Sequence, residues 1–270
     1  MDSRELIRSM FGTPRALIGV IHVAALPGTP AGQLPVAVIA DAAAAEARVY
    51  AASGFHGVII ENTHDRPYLK GTAGPEIVAA MTAIGVAVRQ AAALPLGVQI
   101  LAGANRATLA TAQACGAAFI RVEGFVFAHV ADEGLIESGA GDLLRYRRAI
   151  GAEHIRVFAD IKKKHSAHAI TADVDLAETA RAAEFFQADG IIVSGSATGC
   201  PTDPDEVRAA AQSLSIPTLV GSGITPENIS GFDAADALIV GSSVKEHGQW
   251  WNRLDAVRVA TLAGAFQSRR

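Results

Sequence analysis

Short apolar runs that end in ionisable or hydroxyl residues recur along this chain, and those ends hold the groups that could do chemistry together. Ile21-His22 leads into Val23-Ala24-Ala25-Leu26-Pro27-Gly28-Thr29-Pro30, and Glu61-Asn62 into Thr63-His64-Asp65-Arg66-Pro67-Tyr68. Further runs end in Arg121-Val122-Glu123, in Asp160-Ile161-Lys162-Lys163-Lys164-His165 and in Ser194-Gly195-Ser196-Ala197-Thr198-Gly199. A charge in an apolar frame is costly unless paired. Five such ends therefore point to one shared site more than to five separate ion pairs.

Within that set Glu61 and Asp160 are candidate general bases, with His22 or Lys162 as partner acid or oxyanion stabiliser. If the chain stays extended past Asp160, Lys162 and Lys164 share its inward face and Lys163 points away. An inward lysine then pairs with a phosphate or carboxylate, the simpler role, or acts as a Schiff-base nucleophile if its pKa is lowered. A divalent cation on His22, Glu61 and Asp160 is a further candidate, although no His-x-His or His-Glu-x-x-His spacing accompanies it. No other cofactor is implied.

A second chemistry is written in two glycine-serine segments, Thr218-Leu219-Val220-Gly221-Ser222-Gly223-Ile224-Thr225-Pro226-Glu227-Asn228 and Ala237-Leu238-Ile239-Val240-Gly241-Ser242-Ser243-Val244-Lys245. Each reads as a buried strand breaking into a helix start. Glycine lets the backbone approach an anion, and helix-start N–H groups point at it. With the turn after Ser194 they make Gly195, Ser196, Gly221, Ser222, Gly223, Gly241 and Ser242 candidate phosphate-binding residues.

The elements that must position these groups are eight apolar runs at residues 17–23, 57–62, 96–101, 119–124, 156–161, 190–195, 218–223 and 237–242. Most are continuously apolar, as parallel strands covered on both faces are. Ala-rich segments of helical period lie between them, at 36–53, 75–93, 106–115, 142–150, 172–187 and 204–213, with a short one at 226–231 and a last at 254–267. Ser53-Gly54, Cys115-Gly116 and Asp189-Gly190 mark helix ends. Eight strand–helix units predict an α/β fold, a single (β/α)8 barrel domain over residues 1–270 of the phosphate-binding type, whose strand C-terminal ends carry the site. The rival doubly wound sheet lacks its early Gly-x-Gly-x-x-Gly.

The 27 acidic against 23 basic residues give no reason to expect nucleic acid or an anionic membrane. The first twelve residues lack the apolar core of a signal peptide, and the charge-free stretch 16–40 is broken by prolines and glycines. A soluble, cytoplasmic protein without membrane insertion is expected. Cys115 and Cys200 do not have metal or disulfide spacing and read as structural. Arg145, Arg147 and Arg148 read as a solvated helix face, and Trp250-Trp251 as core or subunit interface. Asp65, Arg66 and Tyr68 belong to a loop covering the site or meeting another subunit.

Ile21-His22 with Leu26-Pro27-Gly28-Thr29-Pro30, Glu61-Asn62, the Asp160 to His165 run, Ala197-Thr198-Gly199 and the two Gly-Ser segments ending in Val244-Lys245 together resemble the BtpA/SgcQ family. Matches run from Leu17 to about Asp255. The resemblance implies a phosphate-binding (β/α)8 barrel similar to phosphoribosylanthranilate isomerase. It links members to photosystem I biogenesis in cyanobacteria and to sugar utilisation, and carries no set reaction. The chain departs from the family pattern at Thr63-His64 and in the loop after Glu123. The expected function is isomerisation or aldol-type cleavage of a small phosphorylated sugar or related metabolite by a homo-oligomer. The alternatives are an assembly or stability factor, acting through the 125–148 segment or Gln249-Trp250-Trp251, and a metal-dependent hydrolase using His22, Glu61 and Asp160.

Overall fold

A computed structural model describes residues 3–195 and 202–268. Its strands, in chain order, are β1 (Ala16–His22), β2 (Gly57–Glu61), β3 (Leu96–Gln99), β4 (Phe119–Val122), β5 (His129–Ala131), β6 (Gly134–Ile136), β7 (Arg156–Ile161), β8 (Ser166–Ala167), β9 (Gly190–Val193), β10 (Thr218–Val220) and β11 (Ala237–Val240). Eight of them close a parallel barrel in the order β1-β11-β10-β9-β7-β4-β3-β2, while β6-β5-β8 form a small antiparallel sheet. The expected eightfold β/α barrel is therefore the fold. Helices α1 (Ser3–Phe11), α2 (Val36–Ala52), α3 (Pro75–Ala91), α4 (Asn105–Cys115), α5 (Ala140–Ala149), α6 (Leu176–Phe185), α7 (Pro204–Ser213) and α8 (Ala256–Gln267) complete it.

Two apolar layers explain why the strands look uniformly hydrophobic. Leu17, Ile21, Val58, Ile60, Val98, Ile120, Val157, Ile191, Val220 and Leu238 face outward and pack with the helices in one core. Ile18, Val20, Ile59, Phe119, Phe158, Ile192, Leu219 and Ile239 face inward and fill the barrel. Successive side chains on a strand alternate faces, so both sets are apolar only because both faces are covered. Register keeps the layers level: Val20 stands beside Ile59 and His22 beside Glu61.

Several local features depart from the sequence reading. The first residues form α1, whose Leu6, Ile7 and Phe11 are buried. Ile7 and Phe11 join the inner core, and Phe11 meets Phe119 edge-on at 5.8 Å between centroids. Helix α1 thus plugs the N-terminal end of the barrel. The helix expected over 172–187 is the shorter α6, because Asp175 caps it by accepting from the Glu178 N–H and because β8 and a 3-10 turn (Ala169–Thr171) precede it. The helix starts expected after β10 and β11 are single 3-10 turns, Ile229–Phe232 and Ser242–Val244. The segment after Glu123 is a β5–β6 hairpin that pairs with β8. Gly116, at φ +70°, ends α4 in the left-handed conformation that favours glycine.

Candidate active site at the C-terminal mouth of the barrel

One more step along each strand carries every inward position from apolar to polar or glycine. Above the floor of Val20, Ile59, Phe119, Phe158, Ile192, Leu219 and Ile239 lies a ring of eight residues, one per strand: His22, Glu61, Gln99, Arg121, Asp160, Ser194, Gly221 and Gly241. All eight line a cleft of about 910 Å³. Arg121 is its hub. Its guanidinium grips Asp160 in a two-pronged pair of 2.6 and 3.0 Å and reaches Glu61 at 3.1 Å. Burial works against the Arg121 charge, but Asp160 and Glu61 more than offset it and hold the group protonated. Burial raises the Glu61 pKa against the opposing pull of Arg121. Ser194 donates to Asp160 at 3.4 Å.

Beside this hub, Glu123 accepts from Gln99 at 3.3 Å and from Lys163 at 3.0 Å, and burial raises its pKa despite Lys163. The expected alternation of the lysines does not hold. Strand β7 stops at Ile161, and Lys162 and His165 adopt left-handed φ values of +45° and +59°. The Lys162 amine therefore turns to the Thr171 carbonyl at 2.9 Å, away from the cleft, whereas Lys163 and Lys164 line it.

His22 is the ring member on β1. Its Nδ1 lies 3.0 Å from the Trp250 carbonyl oxygen, so Nδ1 carries the proton and Nε2 is left as an acceptor. Burial, then the charge of Lys245, lowers its pKa to about 3. A neutral ring with a free Nε2 accepts a hydrogen bond or a proton; it does not serve as the expected acid. Nor do His22, Glu61 and Asp160 assemble as a cation site. Both carboxylates are paired with Arg121, and among the described residues no three His, Cys, Asp or Glu side chains are gathered to hold a metal.

The far wall is the glycine-serine side. Gly221 gives its N–H to the Val193 carbonyl, so it offers an anion no donor; what it offers is room, since a Cβ there would sit 2.5 Å from Ile192 and 3.2 Å from the Arg121 guanidinium. Gly241 likewise leaves space for His22, whose ring would be 3.1 Å from an added Cβ. Beyond them Ser222, Gly223, Ser242 and Ser243 line the cleft. The buried hydroxyls of Ser222 and Ser243 have no partner among the described residues. Asn228 fixes the loop by accepting from the Thr225 N–H at 2.8 Å and donating to the Gly223 carbonyl at 2.7 Å. Gly195 is buried just after Ser194; Ser196 and Cys200 lie outside the described residues.

The rim joins three loops. Asp65 accepts from the Leu26 N–H at 2.7 Å and from Asn62, while Asn62 accepts from the Leu101 N–H, so Asp65 fastens loops and does not face the ligand space. Arg66 and Tyr68 do line the cleft. Arg66 stacks over Trp250 at 5.0 Å, and Trp250 forms part of the mouth, not of a core. Arg147 pairs with Asp189 and Arg148 with Glu153, and Arg145 bonds the Gly141 carbonyl, which makes those arginines structural. Cys115 is buried in the outer core. Arg121, Gln99, Lys163 and Trp250 are the site residues that sequence reasoning did not assign. The first two have a usable signal: two positions beyond an inward Phe119 or Gly97, a polar residue must face the mouth.

A closed parallel β/α barrel whose strand C-terminal ends carry polar residues or glycine around one cleft defines the class of protein by its architecture. The chain belongs to the BtpA family, whose family model matches residues 13–268. An uncharacterized mitochondrial protein of Caenorhabditis elegans is 48% identical over 267 residues, covering 96% of each chain. The photosystem I biogenesis protein BtpA of Synechocystis is 35% identical over 258 residues, covering 95% of this chain and 89% of the other. Phosphoribosyl anthranilate isomerase from Thermus thermophilus shares the fold, with TM-score 0.56 and 14% identity over 94% of this chain and 100% of the other. Among the described residues no helix is long and apolar enough to cross a membrane.

Proposed function

We propose that the protein is an enzyme acting on a small phosphorylated metabolite, with the phosphate on the β10–β11 side of the mouth and the reacting carbons over Glu61 and Asp160. One observation carries this reading: Ser222 and Ser243, just past the ends of adjacent strands, line the cleft that holds the Arg121 cluster, and their buried hydroxyls have no partner among the described residues. An unpaired buried hydroxyl costs roughly 1–3 kcal/mol, so a ligand that satisfies it is favoured there. Loops after the last two strands hold phosphate in many barrels, and the shared fold of phosphoribosyl anthranilate isomerase supports that placement. Glu61 and Asp160, pinned by one guanidinium, are placed to move a proton next to a carbonyl, the step common to isomerisation and aldol cleavage.

The test is melting temperature against inorganic phosphate, triose phosphates and pentose phosphates, each with and without magnesium. A ligand at about a hundred times its Kd adds roughly 2.7 kcal/mol. Stabilisation that disappears in Ser222→Ala and Ser243→Ala supports the reading. A melting temperature indifferent to every phosphate compound sinks it.

A further inference from the structure

The chain has five lysines, Lys70, Lys162, Lys163, Lys164 and Lys245. Lys70 is exposed on a loop. The Lys162 amine is held by the Thr171 carbonyl at 2.9 Å, and Lys163 is paired with Glu123 at 3.0 Å. Lys245 is buried on Glu46 at 2.8 Å. Lys164 alone lines the mouth with no hydrogen bond or ion pair to any described residue, and it shares that mouth with Arg121, Glu61 and Asp160.

Its position is built by its neighbours. The left-handed residues Lys162 and His165 bracket the turn. The Lys162 and Lys163 amines tie its first half to Thr171 and Glu123, and the Lys163 carbonyl meets His168 Nε2 at 2.9 Å. Two lysines are thus spent on fixing the loop that presents the third. A merely solvated charge run has no need of such anchoring.

We propose that Lys164 is a carbonyl-trapping amine, whose Nζ condenses with an aldehyde or ketone of the phosphorylated substrate to form a protonated imine. The inference rests on the reading of the cleft as a phosphometabolite site and names the reaction class within it. The amine lone pair forms the C–N bond while the carbonyl π pair moves to oxygen, which takes one of the two protons of the attacking nitrogen. The resulting hydroxyl leaves as water with a second proton, supplied by the carboxyl of Glu61, whose pKa burial raises, and the C=N bond keeps the remaining N–H. The iminium then accepts the electron pair released when the neighbouring carbon loses a proton or a C–C bond breaks, giving an enamine. No oxidant or metal is required. Imine formation needs the unprotonated amine. Burial, then the Arg121 charge, lowers the Lys164 pKa, with Glu61 and Asp160 opposing. Arg121, Glu61, Asp160, His22 and His165 are the titratable groups that interact electrostatically with it.

The experiment treats the full-length protein with dihydroxyacetone phosphate, glyceraldehyde 3-phosphate or ribose 5-phosphate, each with sodium cyanoborohydride. Reduction of the C=N bond fixes the adduct, and peptide mass spectrometry locates it among only five lysines. The expected result is one adduct per chain at Lys164, formed at least tenfold faster than at Lys70, suppressed by excess inorganic phosphate and absent in Lys164→Arg. Labelling that follows exposure, with Lys70 foremost and phosphate without effect, overturns the inference. So does the absence of an adduct at Lys164 with all three probes. Phosphate-dependent stabilisation of the same preparation separates the failures. If stabilisation persists without the adduct, only the imine falls; if both are missing, the phosphometabolite reading falls with it.

Discussion

The two ends of this barrel use charged residues in opposite ways. At the N-terminal end the acids serve the backbone and nearby arginines. Asp189 accepts from the Val157 N–H at 2.9 Å and pairs with Arg147 and Arg156, and Asp236 accepts from the Thr218 N–H at 2.9 Å. Phe11, Phe119 and Phe158 stack beneath, and α1 shuts the opening. At the C-terminal end the acids hold one another's partners: Glu61 and Asp160 share Arg121, Glu123 takes Lys163, and all border an open cleft. The acids at the closed end are engaged by backbone N–H groups and arginines, while at the open end burial raises the pKa of Glu61 and Glu123 against the pull of Arg121 and Lys163.

The sharpest way to break the comparison is Arg121→Ala. It strands two buried carboxylates and is expected to cost about 3–5 kcal/mol in urea unfolding. Restoring neutrality in the triple change Arg121→Met, Glu61→Gln, Asp160→Asn is expected to return most of that stability while any turnover stays lost. Phe11→Ala tests the other end. It is expected to cost about 3 kcal/mol by opening the inner core, with the phosphate-dependent shift in melting temperature intact. Loss of the shift there would mean that the two ends are not separable.

A pH series sharpens the contrast further. His22 has its pKa lowered to about 3, below the ordinary value of 6.5. Its contribution to stability is therefore full above about pH 6.5 and is lost as pH falls toward 3, amounting to about 2 kcal/mol between pH 7 and 5. Unfolding free energy measured across that range is expected to be flatter in His22→Asn by that amount. The smallest effect belongs to Ser243→Ala. Removing an unpartnered buried hydroxyl is expected to raise stability, by about 1 kcal/mol, and to abolish the phosphate shift, read by calorimetry with inorganic phosphate.

Much of this was legible from residue order. Strand β7 falls where the apolar run predicts it, and the strand-end polar groups at His22, Glu61 and Asp160 do meet in one mouth. The lysine run was misjudged because alternation holds only while the strand lasts; two left-handed residues end it, and Lys163 takes the inward place assigned to Lys162. Helix α1 has a legible signal, Leu6, Ile7, Met10 and Phe11 at helical spacing, but only the barrel opening beneath gives Ile7 and Phe11 something to cover.

The sequence by itself determined the order of the eight barrel strands and the strands that carry polar ends, because those follow from local periodicity and residue type, while the family resemblance rested on its motifs. The tertiary structure alone decided which charges are already spent. Arg121 crosses from β4 to reach Glu61 on β2 and Asp160 on β7, over separations of 60 and 39 residues. No local pattern encodes such pairings, since they depend on strands being brought side by side and on Gly221 leaving room for a guanidinium. By the same route the fold leaves the Lys164 amine without a hydrogen bond or ion pair among the described residues, beside an Arg121, Glu61 and Asp160 that are paired with one another.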